Sequence, residues 1–166
     1  MYTTYPALKA EALFFRGIHQ LREKTEGAFD TLKALQSTIA TNDIGVGCPL
    51  WRLRVVLLEM TLAATMDMPN KWEVFTGRAR DAEECLADLA QALLTPELVQ
   101  SRFPQYSDFV MVISLGYIAL RHLWKEALPT RKRKNTPAEA ENAKKACDSL
   151  NTSWKNFTIE IKNILE

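Results

Sequence analysis

Apolar residues recur along most of this chain with the spacing of α-helices. Between Pro6 and Ala40, the residues Phe14, Ile18, Leu21, Thr25, Ala28, Leu32, Leu35 and Ile39 alternate by four and three. Trp72, Phe75, Ala79, Ala82, Leu86, Leu89 and Leu93 do the same between Asn70 and Leu94. Ala143, Cys147, Leu150, Trp154, Phe157, Ile161 and Ile164 repeat the pattern after Thr136. This alternation lays one apolar stripe along each helix and suits shallow helix-crossing angles. Pro49 to Asp67 carries Leu50, Leu53, Leu57, Met60 and Ala64 in phase, with Val56 and Leu58 widening the face. The stretch from Ser107 to Leu128 is apolar almost all round before Arg121, which marks it as the central helix.

Helix starts coincide with prolines and caps. Pro6 and Pro49 open two helices, and Asn70 with Glu73 has capping-box spacing. Thr136-Pro137-Ala138-Glu139 combines a cap, a first-turn proline and a box glutamate. Thr95-Pro96-Glu97 starts a short helix that Pro104 ends or kinks. The expected fold is all-α: an antiparallel up-and-down bundle of about five helices, one domain over residues 1–166. Its long joints are Thr41 to Cys48 and Pro129 to Thr136.

Composition narrows the class. The 166 residues are 47% apolar and 25% charged, as in an ordinary globular domain. Six glycines and seven prolines are too few for an all-β protein with many tight turns. The net charge is +1, and residues 1–83 carry ten charges of each sign, so neither half is a polyelectrolyte. Cys48, Cys85 and Cys147 are odd in number and widely spaced, which argues against a disulfide framework and for a reducing compartment. The N-terminal residues lack a basic start followed by an apolar core, so no secretory signal is expected. The apolar run from Phe109 to Leu120 is too short to cross a bilayer. The expected location is cytoplasmic, or nuclear in a eukaryote, without membrane contact.

Familiar chemistries are missing from the sequence. Di-iron bundles need Glu-x-x-His pairs, but Arg16 and Ala119 stand three residues before His19 and His122. Zinc needs clustered Cys or His ligands, and there is no CxxC or HExxH. Gly45-Val46-Gly47 lacks the strand and lysine of a phosphate loop and reads as a helix cap and turn. Arg16 and His19 are separated by two residues, and Arg121 and His122 by none. Neither pair has the wider arginine–histidine spacing of HEPN-type ribonucleases. His122 beside Trp124 is read as a packing residue and His19 as a half-exposed rim residue. Arg80 and Glu84, four apart, read as an ordinary helix-surface ion pair. No catalytic residue, metal or cofactor is therefore assigned.

The one charge anomaly is Arg131, Lys132, Arg133 and Lys134, followed by Lys144 and Lys145. Lys144, Lys155 and Lys162 are spaced by eleven and seven, which puts them near one side of the last helix. These eight residues are the candidates for contact with nucleic acid or a partner. The loop is either a phosphate-contacting element, a short nuclear-import signal or a solvated joint. Phe15 and Phe29, one step after Phe14 and Ala28, are read as widening the first stripe. The alternative is a second apolar side that meets another protein.

The expected function is a non-enzymatic bundle that binds a protein partner or assembles with copies of itself. The alternative is a small helical subunit of a nucleoprotein complex, such as those of RNA-guided defence, touching RNA or DNA backbone through the basic loop. An enzyme with a site of unfamiliar pattern remains a third class.

Overall fold

The computed structural model describes residues 4–41, 49–93, 115–129 and 137–165. Among these residues there are six helices and no strand. They are α1 (Thr4–Arg22), α2 (Gly27–Thr41), α3 (Pro49–Thr65), α4 (Lys71–Leu93), α5 (115–127) and α6 (Ala138–Leu165). The short helix expected after Thr95, Gly45–Gly47 and the basic loop Arg131–Lys134 lie outside the described residues.

The expected first helix is two helices. The chain turns back at Lys24, whose φ of 53° is left-handed. Thr25 N–H donates to the Gln20 carbonyl at 3.0 Å and Lys24 N–H to the Leu21 carbonyl at 3.2 Å. This bond pair is a Schellman C-cap, which satisfies carbonyls that the helix end would leave open. A lysine stands where glycine is usual, so the sequence shows no break, and Leu21, Thr25 and Ala28 keep the 3-4 spacing through the turn. Thr25 is exposed at the turn, while Leu21 and Ala28 are buried on α1 and α2. Thr31 on α2 donates a hydrogen bond to Gln20, tying the hairpin beyond its loop.

Contacts fix the direction of each helix pair. Gln36 bonds Glu59 while Ile39 and Trp51 line one cleft, so α2 and α3 are antiparallel. Arg52 faces Asp88 and Arg78 faces Glu59, so α3 and α4 are antiparallel. Gly17 lies against Leu58 and Glu11 against Arg54, so α1 and α3 are parallel. Thr76 shares a groove with Asn142, and Glu83 accepts bonds from Ser149 and Ser153, so α4 and α6 are parallel.

The seams of α4 and α6 are buried as their spacing predicts: Phe75, Ala79, Ala82, Leu86 and Leu89 on one, Ala143, Cys147, Leu150, Trp154, Phe157 and Ile161 on the other. Trp72 is only half-buried, with the Lys71 ammonium 5.0 Å from its ring centre. The helix enclosed on most sides is α3, which packs on α1, α2 and α4. Between Trp51 and Ala64 only Arg52 is exposed. Thr61, fully buried there, donates to the Leu57 carbonyl at 2.7 Å and so leaves no hydroxyl unpaired. Residues 107–114 of the helix expected to be central lie outside the described residues. Tyr117, Leu120 and Trp124 of α5 are buried, but Leu115 and Ile118 face outward. Gly116 sits so close to the Phe14 ring that an added Cβ would come within 2.9 Å of it, which brings α5 against α1.

Candidate functional site

The helical members of the basic set do not share one surface. Lys155 and Lys162 are exposed and Lys144 is half-buried, along one side of α6. Asn151 of that side accepts a bond from Tyr117 on α5 at 2.8 Å. Lys145 turns away from them into a groove between α6 and α4 of about 370 Å³, shared with Arg80. Arg80 does not pair with Glu84 as its spacing predicts. Glu84 instead reaches Arg52 of α3, at 4.0 Å. Across the helix interface Arg52 lies 4.0 Å from Glu84 and 3.4 Å from Asp88, all three side chains being exposed.

A larger cleft of about 520 Å³ opens between α2, α3 and α4. Ile39, Trp51 and Val55 form its apolar wall, and Glu59 its polar end. Glu59 accepts from Gln36 at 2.6 Å and pairs with Arg78 at 3.1 Å. Burial raises the Glu59 carboxyl above its ordinary value, against the pull of Arg78. Both carboxylate oxygens are already engaged, so this glutamate is a structural link between three helices rather than a poised base.

Buried Arg54 and half-buried Asn151 escaped the periodicity. Arg54 on α3 is 2% exposed, with its guanidinium 4.9 Å from the Phe14 ring centre and 4.8 Å from that of Trp51. Its Nη1 pairs with Glu11 of α1, while Nε and Nη2 are buried without a partner. Only the interruption of an apolar run by arginine could have flagged it. Asn151, besides accepting from Tyr117, donates to the Cys147 sulfur at 3.6 Å. Burial raises the thiols of Cys85 and Cys147 and the phenol of Tyr117, so all three stay protonated at neutral pH. A protonated, enclosed thiol is a poor nucleophile.

His122 does not pack as expected, and His19 lies further out than a half-exposed rim position. His19 is exposed, and His122 is exposed with Nε2 3.3 Å from Glu126 one turn on. Among the described residues, no group of three His, Cys, Asp or Glu side chains is placed to hold a metal ion. No helix there is long and apolar enough to cross a membrane.

Large apolar side chains face outward on α1, α5 and α6. Leu8 is 62% exposed and Phe15 44% on α1; Leu115 is 58% exposed and Ile118 59% on α5; Ile159 is 49% exposed on α6. Phe29 packs on the core, as a widened stripe requires, but Phe15 does not. Phe15 stands edge-on to Phe14, ring centres 5.4 Å apart, and Phe14 is the residue on which Gly116 rests. The outward apolar sets of α1 and α5 therefore belong to helices that touch at that contact. Comparison with known protein families, with curated proteins and with solved structures finds no match to this chain.

Proposed function

We propose that this chain is a non-enzymatic, up-and-down helical bundle that works by binding a protein partner or by associating with copies of itself. The observation that carries the reading is the outward placement of Leu8, Phe15, Leu115 and Ile118 on two touching helices. The apolar area these four side chains leave in water gives nothing to folding, and covering it on association is favourable by about 25 cal/mol per Å². The directions of the α1/α3, α2/α3, α3/α4 and α4/α6 pairs support the up-and-down reading, and such a bundle presents the outer face of a helix as a rigid docking edge.

The test compares the wild type with a Phe15→Gln/Ile118→Gln variant, by light scattering over a concentration series and by affinity capture from the source cells. The variant keeps its fold, since exposed substitutions shift stability by no more than about 0.5 kcal/mol each. Loss of self-association or of a specific captured protein in the variant supports the reading. A wild type and variant that behave identically in both assays refute it.

A second reading, contact with nucleic-acid backbone by a nucleoprotein subunit, is favoured by the line of Lys144, Lys155 and Lys162 along α6. Its measure is the salt slope of binding to purified RNA or DNA, about 0.7–0.9 log units per phosphate contact. Replacing Arg131–Lys134 by glutamine should lower that slope if the basic loop takes part.

A further inference from the structure

We propose that the groove between α4 and α6 binds a small phosphorylated polyol or sugar, with Arg80 and Lys145 as the charges that hold its phosphate. The two cations come from facing helices, line the same concavity, and pair with no carboxylate among the described residues. Like charges sharing a groove repel, and an anion placed between them converts that repulsion into two attractions.

Two nearby carboxylates pair outside the groove, and a third, Glu83, lines it. Glu84 is drawn to Arg52, Asp81 pairs with Arg78 at 2.9 Å, and Glu83 accepts the hydroxyls of Ser149 and Ser153 at 2.6 and 2.9 Å. The arginine fork and the lysine ammonium supply charged donors suited to tetrahedral oxygens. Asn142, also lining the groove and without a partner, adds an amide.

The remaining lining selects the ligand. The groove, at about 370 Å³, is larger than a bare oxyanion fills and lies at the small end of organic-ligand sites. Glu83 lines it; its Oε1 is taken by Ser149 and Ser153, so Oε2 is left to accept a ligand hydroxyl while the carboxylate repels further negative charge. A phosphomonoester with a hydroxylated body meets both conditions. A nucleic-acid strand, with a charge on every linkage, meets the carboxylate less well. The proposal does not depend on the apolar α1–α5 surface.

The experiment titrates the full chain with ribose 5-phosphate, inorganic phosphate and ribose by calorimetry at low salt. The expected order is saturable binding of ribose 5-phosphate, weaker binding of phosphate, and none of ribose. Arg80→Gln/Lys145→Gln should weaken ribose 5-phosphate binding at least about tenfold, since charge-assisted contacts are removed. Its circular dichroism should stay that of the wild type. Lys155→Gln, on another side of α6, should leave binding unchanged. Glu83→Gln should tighten inorganic phosphate several-fold. The proposal is overturned by equal binding in the double variant, by an equal loss in Lys155→Gln, or by no saturable binding of either phosphate. Tighter binding of a single-stranded RNA oligonucleotide through Arg80 and Lys145 would assign the groove to a backbone instead and also overturn it.

Discussion

Truncating Trp154 to alanine tests the packing of α6. The indole is 8% exposed, stacks on Tyr117 with ring centres 3.9 Å apart at 9°, and lies 5.6 Å from the Phe157 ring. A tryptophan buries roughly 150–250 Å². At about 25 cal/mol per Å² that corresponds to about 4–6 kcal/mol for losing the whole side chain. Alanine keeps one methyl and the surroundings relax in part, which sets the expected cost at about 3–5 kcal/mol. The assay is urea unfolding followed by circular dichroism, with the slope checked for two-state behaviour. Small domains have only about 5–15 kcal/mol to lose, so Trp154→Phe, which keeps a ring in the stack, serves as the milder variant. A double-mutant cycle of Trp154→Phe with Tyr117→Leu isolates the stack, expected at about 0.5–1.5 kcal/mol. A Trp154→Ala cost within about 0.5 kcal/mol would show the indole to be exposed and the α6 seam misassigned.

Other substitutions probe separate features. Gly77 has open space around an added Cβ, so Gly77→Ala should stabilise by about 0.5–1 kcal/mol, whereas Gly116→Ala should destabilise by about 1–3 kcal/mol because the methyl meets Phe14. Equal effects in thermal melts would contradict the α1–α5 contact. Lys24→Gly should stabilise by about 0.5–1 kcal/mol by relieving the left-handed conformation, and a loss of stability would mean that the turn is misplaced. Glu59 has a carboxyl raised above its ordinary value, so the folded state holds more protons than the unfolded state just above that value, and stability falls as pH rises through the window. Glu59→Gln should remove this decline in a denaturation series run upward from the ordinary carboxylate range; an unchanged pH profile would show the group to be ordinary.

What could be read from the chain was local. Spacing alone assigned the buried positions of α4 and α6, because a single 3-4 stripe leaves one way to turn a helix toward a core. The break at Lys24 was hidden because a lysine occupies the left-handed position and the stripe keeps its phase across the turn. The enclosure of α3 was hidden by Arg52 and Arg54, two charges that interrupt its apolar run on nearly opposite faces, although Arg54 is buried against two aromatic rings. Periodicity told which residues of α5 could be buried, not how many neighbours would cover them, and Leu115 and Ile118 were left outside. The placing of Arg80 and Lys145 along one groove depends on how α4 packs against α6. No pattern within one segment carries such information.

The pairing of Arg54 with Glu11 acts as an alignment key for the first helix. Apolar stripes tolerate sliding, because one leucine fits a neighbouring slot nearly as well as another. A slide of α1 by one turn along α3 moves it about 5.4 Å and carries Glu11 out of reach. The guanidinium would then sit in the core with no counter-charge, a loss of about 3–5 kcal/mol against the native alignment. A charge that contributes little to net stability thus discriminates among placements that hydrophobic matching alone would leave close in energy.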